Sequence, residues 1–144
     1  MYPDAKTLHI DFDTNACYNY GKHGKRSQIC RKEGSAMEYI HRAIENIALH
    51  SDKTFKSVLI TGARQTGKSR MIKELFPDKK YVAIDDPFIE DQAINNPNMF
   101  MMLNQPPVIY DEVQRAPELF RFIKIVCDER TDKGLFCLSG SQPL

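Results

Sequence analysis

From residue 35 onward the chain switches repeatedly between two hydrophobic periods. Met37, Ile40, Ile44, Ile47 and Ala48 recur at three- and four-residue intervals. Glu38, Arg42, Glu45 and Asn46 fall between them, which is the pattern of an amphipathic helix. Ser35-Ala36-Met37-Glu38 opens it as a capping box, in which the serine and glutamate side chains satisfy backbone N–H groups of the first turn. The helix is expected to end near Ser51-Asp52-Lys53. The next apolar run, Ser57-Val58-Leu59-Ile60-Thr61, is short and continuous, as in a strand buried on both faces. Helical spacing returns over residues 69–76, with Met71, Ile72 and Leu75 inward and Pro77 as the stop. Tyr81-Val82-Ala83-Ile84-Asp85 reads as a second strand, turned outward by Asp86-Pro87. Helical turns are predicted over residues 88–104, divided at Asn96-Pro97, where proline takes a first helical position. Val108-Ile109-Tyr110-Asp111 is a third strand, residues 117–129 a helix presenting Leu119, Ile123 and Val126, and residues 135–139 a fourth strand.

Strands alternating with helices predict an α/β protein of three layers, α/β/α, around a mostly parallel sheet. Residues 1–34 break this rhythm. They are polar, rich in Tyr, Asn, Lys and Gly, and keep no sustained period, so they read as a solvated, partly disordered leader ahead of a core at 35–144. Their basic cluster, Lys22-His23-Gly24-Lys25-Arg26 with Arg31-Lys32, leaves a nucleic-acid arm as the alternative. At 144 residues the chain has the size of one domain, and 42% hydrophobic with 27% charged residues is a globular composition. A net charge of +1 gives no overall bias toward nucleic acid or acidic membranes. No apolar run approaches the roughly 20 residues of a membrane span, and the N-terminus lacks a secretory apolar core, so a cytoplasmic protein with no membrane partner is expected. Cys17, Cys30, Cys127 and Cys137 form no CxxC pair, which argues for reduced, structural cysteines over a zinc site, even with His23 between the first two.

The chemistry concentrates at Gly62-Ala63-Arg64-Gln65-Thr66-Gly67-Lys68-Ser69, a Gly-x4-Gly-Lys-Ser/Thr (Walker A) loop between a buried strand and a helix. In a chain of this length the letters alone arise by chance roughly one time in two hundred. The flanking elements supply the structural context the motif needs. Gly62 and Gly67 allow backbone angles and close approach that a Cβ would block. Loop N–H groups and the helix N-terminus converge on phosphate oxygens, Lys68 brings a point charge to the β- and γ-phosphates, and the Ser69 hydroxyl ligates magnesium. Arg64 and Gln65 are expected to face solvent, with Arg64 in reach of phosphate.

About fifty residues on, Val108-Ile109-Tyr110-Asp111-Glu112 is an apolar strand ending in two carboxylates, a Walker B pattern. Asp111 would reach magnesium through water, and Glu112 would polarise the attacking water as general base. Phe136-Cys137-Leu138-Ser139-Gly140-Ser141 is a further strand ending in hydroxyls, where Ser139 or Ser141 would sense the γ-phosphate; a plain glycine turn explains it equally well. Asp85 and Asp86 read first as a turn and second as magnesium or water ligands. ATP and Mg2+ are the ligands these residues predict.

Together these residues resemble a group of prokaryotic AAA-type ATPases whose N-terminal ATPase domain precedes a C-terminal domain of poorly known function. The likeness runs from about Tyr39 to Gln142 and rests on three runs. These are Leu59 to Ser69, Tyr81-Val82-Ala83-Ile84-Asp85-Asp86-Pro87, and Val108 to Leu119 with its core Asp111-Glu112-Val113-Gln114-Arg115-Ala116-Pro117-Glu118-Leu119, with Leu138-Ser139-Gly140-Ser141-Gln142 closing the match. The resemblance implies an additional-strand, catalytic-glutamate P-loop core that binds and hydrolyses ATP. It places Lys68, Ser69, Asp111 and Glu112 in the roles above and Ser139/Ser141 at sensor 1. The family often has proline where this chain has Ala63. Its members continue into a fifth strand, an arginine-bearing segment, a lid and the C-terminal domain, so this chain resembles a truncated N-terminal part with weakened turnover, its last strand left with an uncovered flank. A homo-oligomer or the C-terminal domain is the partner implied. Two alternatives stand beside an ATPase, a non-hydrolysing nucleotide-binding remnant and a P-loop small-molecule kinase, and the Asp111-Glu112 pair favours water over a kinase's acceptor.

Overall fold

The computed structural model describes residues 7–11, 16–20, 26–31, 37–64 and 66–141, the side chains of 16–20, 26–31 and 37–43 excepted. Among them seven strands form one sheet. They are β1 (Thr7–Asp11), β2 (Ala16–Tyr20), β3 (Arg26–Arg31), β4 (Ser57–Thr61), β5 (Lys80–Ala83), β6 (Val108–Asp111) and β7 (Phe136–Gly140). Their order is β3-β2-β1-β4-β7-β6-β5. The five strands from β1 to β5 in that order run parallel, and β2 and β3 extend the sheet antiparallel beyond β1. The helices are α1 (Met37–Thr54), α2 (Lys68–Leu75), α3 (Pro87–Asn95), α4 (Pro97–Leu103) and α5 (Leu119–Glu129). No helix among the described residues is long and apolar enough to cross a membrane.

The continuous apolar strands are explained by helices on both faces. Val58, Ile60, Ile109 and Cys137 pack with Ile44 and Ala48 of α1 and Met71 and Ile72 of α2. The alternate residues, Leu59, Val108, Tyr110, Phe136 and Leu138, pack with Phe100 of α4 and Leu119, Ile123 and Cys127 of α5. Each large aliphatic or aromatic side chain sealed this way contributes about 1.5–3 kcal/mol. Tyr110 is wholly buried between Phe100 and Phe136, at ring-centroid distances of 5.3 and 5.9 Å. Its hydroxyl donates to the Asn104 carbonyl at 2.7 Å, so the phenol is not orphaned in the core. This is the α/β/α arrangement expected, with β7 inserted between β4 and β6.

Local signals mark the element ends. Asp86 caps α3, its carboxylate accepting from the Phe88 and Ile89 N–H groups, and Pro87 takes the first helical position. The break at Asn96-Pro97 separates α3 from α4, as its letters indicate. The second strand is shorter than expected: it ends at Ala83, and Ile84 and Asp85 belong to the turn. Ser35 and Ala36, half of the anticipated capping box, lie outside the described residues.

At the strands' N-terminal ends, Lys79 Nζ donates to Asp52 Oδ1 at 2.8 Å and to the Gly134 carbonyl. This joins the end of α1 to the entries of β5 and β7. Gly134 has φ +65, and a Cβ there would stand 2.8 Å from Asp52 Oδ2.

Two expectations need correction. The described part of the supposed leader is not separate from the core, because β1, β2 and β3 belong to the sheet and β1 pairs in parallel with β4 from Thr7↔Ser57 to Asp11↔Thr61. Thr-Leu-His-Ile-Asp looks unpatterned because both of its faces are buried. Leu8 and Ile10 join the α1/α2 core, while Thr7 bonds to the Ser57 hydroxyl and His9 Nε2 to Thr61 Oγ1 at 2.6 Å. Neighbouring hydroxyls thus satisfy the polar positions, so a strand with polar alternates is buried without unpaired groups. Much of the basic cluster (residues 22–25 and 32) lies outside the described residues. The second correction concerns the last strand, whose flank is not uncovered: β7 is central, paired with β4 on one side and β6 on the other.

Candidate functional site

β4, β6 and β7 end at the same edge of the sheet, and the glycine-rich loop, the two carboxylates and the two serines meet there. The loop leaves β4 at Thr61 and enters α2 at Lys68. Gly67 is the residue before the helix and adopts φ +83, in the left-handed region where a Cβ is strained. Gly62 is buried, Ala63 and Arg64 are exposed, and Gln65 lies outside the described residues. Thr66 Oγ1 donates to the Ala63 carbonyl at 2.9 Å and braces the turn.

Lys68 is buried, with 5% of its surface exposed. Its ammonium donates to the Gly62 carbonyl at 2.9 Å, the Ala63 carbonyl at 2.7 Å and, more weakly, Thr66 Oγ1 at 3.4 Å. All three partners are neutral oxygens. A cavity of about 280 Å3 opens beside it, walled by Arg64, Thr66, Gly67, Lys68 and Ser69 on one side and by Glu112 on the other.

Asp111 ends β6 and is buried. Its Oδ1 accepts from the Ser139 hydroxyl and, at 3.0 Å, from the Glu112 N–H. Its Oδ2 accepts from the Tyr81 hydroxyl. Burial pushes the Asp111 carboxyl up, but the bonds from Ser139, Ser69, Tyr81 and the Glu112 amide outweigh it, and the net shift is downward. Asp111 is therefore ionised and bound on both oxygens. Tyr81 is shifted the other way: burial and the Asp111 carboxylate hold its phenol protonated well above its ordinary range. Lys73 Nζ lies 4.0 Å from the centroid of the Tyr81 ring.

Glu112 has φ 57, an uncommon conformation for a residue with a side chain, and precedes a short 3-10 turn at Val113–Arg115. Its Oε2 accepts from the Gln114 amide and from the Ser141 hydroxyl at 2.8 Å. Gln114 Nε2 also lies 3.2 Å from Ser141 Oγ, while Gln114 Oε1 is buried with no partner. Arg115 pairs with Glu90 of α3 at 3.4 Å, which fixes the far side of the turn.

The sequence-predicted residues thus meet at one place, with differences of detail. Ser139 and Ser141, either of them a sensor candidate with a plain glycine turn as the equal alternative, each donate to a carboxylate, Ser139 to Asp111 and Ser141 to Glu112. Asp85 and Asp86 are exposed, and Asp86 is occupied as a helix cap. Two residues had been assigned no role. Gln114 stood inside the quoted Asp-Glu-Val-Gln run, where its two-residue offset from Glu112 was the available signal. Tyr81 also stands in such a run, Tyr81 to Pro87, but its contact with Asp111 depends on β5 lying beside β6 in the register Ala83↔Asp111. No group of three or more His, Cys, Asp or Glu side chains suited to a metal occurs among the described residues.

A parallel sheet with an inserted strand, a glycine-rich loop opening a helix at its crevice and two carboxylates across from it define a P-loop NTPase-like α/β domain. The family described as AAA domain matches residues 54–144, more than half of the chain, and the chain belongs to that family. Nucleotide binding of the ATPase type is the family's general function. No curated protein and no solved structure gives a significant match to the chain.

Proposed function

We propose that the chain binds ATP with magnesium in the cavity between residues 62–69 and Glu112, and hydrolyses it to ADP and phosphate. The observation that carries this reading is the state of Lys68. A buried ammonium whose hydrogen-bond partners are all neutral oxygens has no ion-pair partner among the described residues, and such a site favours an anion. The N-terminus of α2, starting at Lys68 itself, adds its own preference for negative charge. A triphosphate would draw the ammonium off the Gly62 and Ala63 carbonyls. Gly67, with no Cβ and no neighbouring atom where one would stand, leaves the backbone open to phosphate oxygens.

The donor set fits magnesium. Ser69 and Asp111 offer a hydroxyl and an ionised carboxylate, hard oxygen ligands, and so few protein ligands suit an ion that takes the rest of its shell from phosphate and water. When bound, magnesium would neutralise phosphate charge. Ser139 and Tyr81 keep Asp111 ionised and oriented toward Ser69. Glu112, across the cavity from Lys68, takes a proton from the attacking water, its carboxylate held by Gln114 and Ser141.

Calorimetric titration with Mg·ATP tests the assignment. The unmodified chain should bind, and Lys68→Ala should lose at least about tenfold in affinity, the cost of one phosphate-directed charge. Equal affinity of the two proteins, or no heat from the unmodified chain at millimolar nucleotide, would refute it.

A further inference from the structure

The spacing of cysteines along the chain argues against a metal site, yet it says nothing of partners across a hairpin. In the antiparallel pair β2–β3, Cys17 and Cys30 occupy directly opposed positions of the ladder. We propose that Cys17 and Cys30 are a redox-active pair that closes into a cross-strand disulfide through exchange with a low-molecular-weight disulfide. This inference is independent of nucleotide binding.

The backbone sets the distance. Residues directly opposed in an antiparallel pair have Cα atoms about 4.5 Å apart at non-hydrogen-bonded positions and about 5.5 Å apart at hydrogen-bonded ones. Disulfides span Cα separations of about 4.4–6.8 Å, so either type of position falls within the range of backbone separations a disulfide bridges. The other two thiols do not compete. Cys127 and Cys137 are both buried in the core, and burial pushes the Cys137 thiol up to about 12, which keeps it out of the thiolate form that reacts.

The location gives the link a mechanical consequence. Cys17 sits at a register irregularity: its pairing with Cys30 is followed by Tyr18↔Gln28, which leaves Ile29 as an extra residue in β3. β3 is the edge of the sheet, and its sequence Arg-Ser-Gln-Ile-Cys-Arg is polar at most positions, the kind of strand whose register is weakly specified. A covalent rung at the bulge selects one pairing. The same rung continues inward through Ile10 of β1 to Ile60 of β4, two residues before Gly62.

The exchange balances. One cysteine thiolate attacks glutathione disulfide and expels a glutathione thiolate, leaving a mixed disulfide on the protein. The second cysteine thiolate attacks that protein sulfur and expels the second glutathione. Two protein thiols are oxidised to one disulfide, glutathione disulfide is reduced to two thiols, and the two protein protons end on the released glutathione.

The test treats the full chain with glutathione disulfide, alkylates remaining thiols in denaturant, and maps the digest by mass spectrometry. The expected product links the peptides containing Cys17 and Cys30, with Cys127 and Cys137 alkylated. The linked form should exceed the glutathione adducts about tenfold or more, because a thiol held across the ladder acts at a higher effective concentration than the reagent. Cys17→Ser should convert the product to a glutathione adduct on Cys30, with circular dichroism confirming that the variant is folded. Recovery of Cys17 and Cys30 as separate adducts or free thiols would overturn the proposal. So would a link that forms equally well in denaturant, since it would owe nothing to the fold.

Discussion

Replacing Gln114 by alanine removes the amide that donates to Glu112 Oε2 and lies 3.2 Å from Ser141 Oγ. A hydrogen bond to a charged group contributes about 1.5–3 kcal/mol where water does not replace it. Glu112 and Gln114 are only half-buried, and Ser141 keeps its own 2.8 Å bond to the carboxylate. About half of that range, roughly 0.75–1.5 kcal/mol, is therefore the expected loss in orientation of Glu112, or about 4- to 12-fold in the hydrolytic step. Stability should change little, because the same substitution deletes the unpaired buried carbonyl of Gln114. Gln114 does not line the cavity, so Mg·ATP affinity should stay within about twofold. The assay is phosphate release in a single turnover with protein in excess, beside calorimetric affinities for both proteins. Hydrolysis by Gln114→Ala at the unmodified rate would refute the reasoning. A drop in rate matched by an equal drop in affinity would refute it too, since Gln114 would then act on binding. An unmodified chain that binds but releases no phosphate would instead count against the hydrolytic reading.

Three further outcomes follow from the geometry. Asp52→Ala leaves the Lys79 ammonium, 7% exposed, without its carboxylate and should cost about 3–5 kcal/mol in urea unfolding, a value below about 1 kcal/mol counting against the clasp. Gly67→Ala places a Cβ at φ +83 with no atom nearby, so the unliganded fold should lose only about 1–2 kcal/mol while nucleotide affinity falls much further; parallel losses would show that the loop does not approach phosphate. Tyr81→Phe deletes one donor to Asp111, whose folded pKa lies below its unfolded value. Stability from such a group is present above the unfolded pKa and lost as pH falls through the folded one. With the folded pKa moved up, the variant should be less stable at neutral pH and should lose the Asp111 contribution at higher pH on acidification. An unchanged acid-unfolding profile would mean that the Tyr81 bond is energetically silent.

The loop at residues 62–69 was legible because each requirement on it is local: a strand before, a helix after, and glycine where the backbone is left-handed. Asp86 and Pro87 at α3 and Pro97 at α4 are local signals of the same kind. The roles of Ser139, Ser141, Gln114 and Tyr81 were less legible, because each depends on which strand ends lie side by side. β7 follows β6 in the chain but stands between β6 and β4, which brings Ser139 onto Asp111.

The N-terminal segment shows where a pattern argument stops. Hydrophobic alternation reveals a strand with one dry face, but β1 is dry on both, and its Thr7 and His9 are made tolerable by Ser57 and Thr61 about fifty residues away. By itself the chain's order of residues determined the elements from α1 onward, their α/β class and the glycine-rich turn between β4 and α2, since periodicity, caps and glycines act within a few residues. The tertiary structure alone decided the strand order, the place of β1 beside β4, and which hydroxyl meets which carboxylate. Those outcomes depend on pairing across the sheet, where a polar group finds its partner through space and not through sequence separation.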